Sequence, residues 1–114
     1  MEESIEVRES RFEKEYAIKG KCWCSIVITK EDPLWVKVID WTDLNVVGGF
    51  MGDEKAVQKH IMEAKKYNRL DKQVLREHGF KYDSELECWY KIFFDGGWEE
   101  VEREVRELIR VLEV

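Results

Sequence analysis

Residues 21–41 read KCWCSIVITKEDPLWVKVIDW and hold three of the chain's five tryptophans. Side chains along a strand alternate between the two faces of a sheet. On that period, Cys22, Cys24, Ile26 and Ile28 point one way, and Lys21, Trp23 and Ser25 point the other. Past the KEDP turn (30–33), Leu34, Val36 and Val38 separate in the same manner from Trp35, Lys37, Ile39 and Trp41. The stretch predicts a hairpin with one aliphatic face and one face of tryptophan and lysine.

Working outward, residues 16–29 read as one long strand, and residues 1–15 as a mobile acidic tail or an edge element. DLNVVGGFMGD (43–53) reads as a loop or short strand ending in a glycine turn. Asp53 is placed to cap a helix from Glu54, with Val57, Ile61 and Ala64 inward. Asp71 caps a short helix to Glu77, which Gly79 ends with Phe80 folding over it.

FKYDSELECWYKIFF (80–94) predicts a second hairpin turning at 83–86. Its longer arm divides Cys88, Tyr90, Ile92 and Phe94 from Trp89, Lys91 and Phe93. Residues 98–112 follow as a helix with Trp98, Val101, Val105, Leu108 and Leu112 on one stripe. The order ββ-α-ββ-α predicts a single α+β domain over 1–114, with an antiparallel sheet of about four strands and helices mainly on one face. Ile26, Ile28, Val36, Val38, Tyr90, Ile92 and Phe94 are then expected beneath the helices, and Lys21, Lys37 and Lys91 away from them.

The net charge of −6 is unevenly spread. Residues 1–15 and 99–114 each carry six acidic and three basic groups, while the middle has thirteen of each sign. Within it, residues 55–76 hold seven Lys or Arg against Glu63 and Asp71. A local field of this kind steers anionic ligands even when the whole chain is acidic. The abundance of Glu and Lys suits a thermophile surface laced with ion pairs. The charged N-terminus is unlike a signal peptide and no run is long enough for a membrane span, so a cytoplasmic protein without membrane contact is expected.

Three units repeat on one parity: Lys21-x-Trp23, Trp35-x-Lys37 and Trp89-x-Lys91, with Trp41 and Phe93 extending two of the rows. Aromatic rings stack on unpaired bases while nearby cations hold phosphates, at about 1–3 kcal/mol per stacked base. Lys55, Lys59, Lys66 and Arg69 are expected to line the neighbouring helix, with Phe50 at the lip of the cleft. The expected role is non-catalytic binding of single-stranded DNA or RNA. The alternative is a protein-interaction or homodimerisation module using the same tryptophan face.

Cys22, Cys24 and Cys88 share the aliphatic parity and are expected as buried free thiols. Zinc held with His60 or His78, or a disulfide to Cys88, are the options weighed against this. No nucleophile–base pair or carboxylate pair stands out, so neither catalysis nor a cofactor or metal is expected.

The hairpin GFKYDSELECWYKIFF behind its capped helix, with the tryptophan strands at 16–41, resembles the ThermoDBP-like single-stranded nucleic-acid-binding proteins of hyperthermophilic archaea. The resemblance implies an antiparallel sheet and helices forming a cleft for unpaired bases with little sequence preference. It points first to Trp89 and Lys91, then to Trp23 and Trp35 by strand position.

Overall fold

The computed structural model describes residues 4–67 and 69–113. Six antiparallel strands form one sheet: β1 (Ser4–Glu9), β2 (Glu13–Lys19), β3 (Trp23–Thr29), β4 (Leu34–Asp40), β5 (Lys81–Asp83) and β6 (Cys88–Phe93), in the order β1-β2-β3-β4-β6-β5. Four helices complete the fold: α1 (Leu44–Met51), α2 (Glu54–Ala64), α3 (Lys72–Glu77) and α4 (Trp98–Leu112). The α+β class and the antiparallel sheet agree with expectation, but the sheet has six strands instead of about four.

The two extra strands come from the N-terminal region. Ser4–Glu9 pairs with Glu13–Lys19 as an edge strand. The expected long strand at 16–29 breaks at Gly20–Cys22. The carboxylate of Glu113, at the end of α4, occupies the space that a Cβ on Gly20 would fill. It accepts hydrogen bonds from the Lys21 and Cys22 N–H groups. A side chain at this position would have to displace the Glu113 carboxylate, and glycine leaves it room beside the break.

Residues 43–51 also depart from expectation, forming a helix in place of a loop or strand. Asp43 caps α1 by accepting from the Asn45 N–H at 2.9 Å. Gly48 and Gly49 each cost the helix about 1 kcal/mol relative to alanine. Burial of Val46 and Val47 offsets this, and Gly52, at φ 67°, ends the helix. The Asp53 and Asp71 caps occur as expected. After α3, Gly79 takes φ 86°, its N–H donates to Arg76 O (3.0 Å) and the Phe80 N–H to Leu75 O (2.9 Å), closing a Schellman motif.

Directly paired residues share a face. Tyr16 pairs with Ile26, Ile26 with Val38 and Val38 with Trp89, so Trp89 joins the aliphatic row. Lys91 pairs with Val36 and Phe93 with Leu34 on the same side. This first face carries α3 and α4, whose Leu75, Val101, Val105, Leu108 and Leu112 share one core with Ile18, Cys24, Ile28, Trp89 and Phe93. The second face carries α1 and α2, so the helices lie on both sides and not mainly on one.

The expected register of β6 is therefore inverted. Trp89 is 6% exposed in the core, while Ile92 is 39% and Phe94 76% exposed. Lysine misleads here because its stem lies along the core face while its ammonium reaches Glu104 of α4 at 3.0 Å. The inversion also separates the cysteines. Cys22 and Cys24 lie on the first face with their sulfurs 3.6 Å apart, and Cys88 lies on the second with Ile39 and Val46. All three are free thiols, and no group of three or more His, Cys, Asp or Glu side chains suited to a metal occurs among the described residues.

Two outcomes test this packing. Trp89→Ala is expected to cost about 3–5 kcal/mol in denaturant unfolding, whereas Phe94→Ala, at an exposed site, should change stability by no more than about 0.5 kcal/mol. The reverse ranking would restore the other register.

The second outcome concerns Lys14 of β2, which reaches Glu102 of α4 at 2.6 Å. The hydrogen bond from Lys14 holds the Glu102 carboxyl below the usual carboxylate range. That stabilisation is complete above the unfolded carboxylate pKa and is lost as pH falls through the depressed folded value. Glu102→Gln should remove this part of the acid-side slope in stability measured against pH.

Candidate nucleic-acid interface

The second face divides into a covered half and an open half. In the covered half, α2 turns Val57, His60, Ile61 and Ala64 inward over the strands. His60 stacks on Trp23 with ring centroids 4.5 Å apart and an interplanar angle of 20°. Its Nε2–H donates to Trp41 O at 2.7 Å, which sets the tautomer, since a carbonyl can only accept. Trp41 Nε1–H donates to Ser25 Oγ at 2.8 Å, and Phe50 of α1 meets the Trp41 ring edge-on. Tyr67 also packs on Trp23, which is left 8% exposed.

A cavity of about 240 Å³ remains between this cluster and β2, with Lys19 and Glu6 at its rim. The Lys19 ammonium lies 4.6 Å from the Trp23 ring centroid. Cation–π attraction at such a distance is worth about 0.5–1 kcal/mol when exposed. Trp23 is thus already stacked within the protein and offers little ring to a base.

The open half lies at the far ends of β4 and β6. Trp35 pairs with Ile92, and Lys37 with Tyr90, whose other neighbour is Lys81 of β5. These rows place Trp35, Tyr90 and Ile92 beside two lysines on one surface. A groove of about 400 Å³ runs over it, lined by Glu31, Pro33, Trp35, Asp83, Leu86, Tyr90 and Ile92, none of them from a helix.

Two acidic groups border the groove, and both are engaged. Glu31 accepts from Trp35 Nε1–H at 3.2 Å. Asp83 accepts from the Glu85 and Leu86 N–H groups at 2.8 and 3.0 Å, forming the β5–β6 turn. The Lys37 ammonium stands 5.9 Å from the Trp35 ring. Toward β2, the same face carries Glu13 and Glu15, which repel phosphate. The favourable course for a polyanion therefore runs over β4 and β6, between Lys37 and Lys81.

The expected site residues are thus dispersed. Trp35 and Lys37 are on the open surface, Trp23, Trp41 and Phe50 lie in the covered half, and Lys21 is exposed at the β2–β3 turn. Trp89, Lys91 and Phe93 belong to the opposite face, which corrects their expected place in the platform. Lys55, Lys59, Lys66 and Arg69 are exposed, but α2 presents its inward stripe to the sheet. At 100° per residue, Lys55 and Lys59 lie roughly opposite that stripe, so they do not line the groove.

Tyr90 and Ile92, expected beneath the helices, lie instead on this surface with Lys81, which the sequence pattern did not single out. The signal that could have found them is the apolar stripe of α4, which needs the bulk of Trp89 and Phe93 beneath it. No family model, no curated protein and no solved structure matches the chain.

Replacing His60 tests the covered half. His60→Ala removes both a stacked ring and the hydrogen bond to Trp41 O, and should cost about 1–3 kcal/mol of stability. It should also raise acrylamide quenching of tryptophan emission, as Trp23 and Trp41 become accessible.

Proposed function

We propose that the protein binds unpaired DNA or RNA, without catalysis and with little sequence preference, on the open strip of β4 and β6. The observation that carries this reading is the grouping of Trp35 and Tyr90 beside Lys37 and Lys81 on sheet that no helix lines. Rings supply stacking for any base, and the lysines supply cations for its phosphates. The exposed cations of residues 55–76, none of which lines the groove, contribute a field that speeds encounter.

Both histidines hold main-chain carbonyls, His60 that of Trp41 and His78 that of Val74, which favours structural over acid–base roles. Among the described residues, no helix is long and apolar enough to cross a membrane. A second reading, a protein-partner surface, draws on the exposure of Leu86, Ile92 and Phe94 near the same groove.

Tryptophan fluorescence titrated with single-stranded and duplex oligonucleotides, at low and high salt, separates the two readings. Quenching by single strands alone is expected. Quenching by neither removes the nucleic-acid reading and leaves the partner surface.

Within a positive titration, Trp35→Ala should weaken binding by about 1–3 kcal/mol with the salt slope unchanged. Lys37→Ala and Lys81→Ala should each lower the slope of log affinity against log salt by about 0.7. Lys59→Ala and Lys66→Ala should instead slow association, because steering charges act on the on-rate.

A further inference from the structure

The outer edge of β1 carries a pattern that neither the groove nor the core uses. No described strand pairs with that edge, since β1 ends the sheet and β2 occupies its inner side. Edge strands usually blunt such a row of open N–H and C=O groups with charged side chains, lysine above all, with proline or with a bulge; the charges of β1, Glu6, Arg8 and Glu9, are of both signs and can complement a second copy. SIEVRE contains neither Lys nor Pro, and its pairing with β2 runs without interruption over all six residues.

On the first face, Ile5 and Val7 continue the core rows through Ile18 and Tyr16. They lie beyond the reach of α4 and remain 39% and 51% exposed. On the second face, Glu6 and Arg8 are exposed and, among the described residues, form an ion pair with each other alone, at 3.1 Å.

We infer that the β1 edge pairs with the β1 edge of a second copy of this chain, antiparallel about a two-fold axis through Val7, to make one continuous sheet of twelve strands. Among registers centred on Glu6, Val7 or Arg8, the charges select the middle one. A two-fold axis normal to the sheet sets residues of equal parity opposite each other and keeps both α4 helices on one side. Centred on Glu6, the axis would set Glu6 against its own copy. Centred on Arg8, it would set Arg8 against its own copy.

Centred on Val7, the axis places each Glu6 opposite the other copy's Arg8, twice over. The ion pair within each strand then exchanges for two across the interface. Val7 meets Val7 in the trough between the two α4 helices, with Ile5 of each copy diagonal to it and opposite the other copy's Glu9, whose carboxylate Lys30 holds. The apolar strip that α4 leaves open is covered in this way, and the ladder hydrogen bonds of both edges are satisfied.

Sedimentation velocity over rising protein concentration tests the inference, with circular dichroism as the folding control. The unmodified chain should pass from monomer to dimer. Arg8→Glu sets Glu6 against a carboxylate and should raise the dissociation constant about tenfold or more, as should Glu6→Arg by the opposite sign. The double variant Glu6→Arg with Arg8→Glu restores complementarity in the same register and should return the dimer.

A chain that stays monomeric throughout overturns the inference. So do single variants that dimerise as well as the parent, or a folded double variant that does not recover. None of these variants touches the β4–β6 strip, so oligonucleotide binding by the monomer is scored separately.

Discussion

The seating of α4 on the first face is the constraint from which the rest of this structure follows. Its stripe of Val101, Val105, Leu108 and Leu112 is fully or nearly fully buried. Each such side chain is worth about 1.5–3 kcal/mol against exposure. A helix diameter of about 10 Å must be met by enough bulk from the sheet, and β6 meets it with Trp89 and Phe93. Because strand periodicity is two, that choice sends Tyr90 and Ile92 to the other face. The core requirement of one helix thereby decides which aromatic residues are available to a ligand.

The same helix closes the far end of the fold. Glu113, one residue past α4, receives the Lys21 and Cys22 N–H groups and takes the space beside Gly20. Lys14 and Lys91 tie β2 and β6 to its polar flank through Glu102 and Glu104. Lysines on a core-facing row are thus satisfied at the helix edge and not by solvent alone.

Much of this fold was legible in the sequence because local chemistry decides it. The KEDP turn, the Asp53 and Asp71 caps, the Gly79–Phe80 stop and the 98–112 helix each rest on a few neighbouring residues. The missed features need long-range information. The break at Gly20 is met by Glu113, more than ninety positions away in sequence, and α1 overrides its glycines by burying Val46 and Val47. For β6, two alternating sets of aromatic and apolar residues fit a core equally well, and the single lysine tipped the reading the wrong way. The candidate site inherited that error, keeping Trp35 and Lys37 while losing Trp89, Lys91 and Phe93 to the core.

The resulting surface is narrower than three tryptophan–lysine rows would give. It consists of two rings and two lysines, with the carboxylates of Glu31 and Asp83 along the groove and those of Glu13 and Glu15 on the β2 side. On the proposed function, Trp35 is the tryptophan that meets a ligand, while Trp89 stays sealed beneath α4. Fluorine NMR of the chain labelled with 5-fluorotryptophan, titrated with a single-stranded oligonucleotide, addresses it residue by residue. The Trp35 resonance should shift while those of Trp23 and Trp89 stay unmoved; a ligand-induced shift at Trp89 with Trp35 silent would place the ligand on the opposite face.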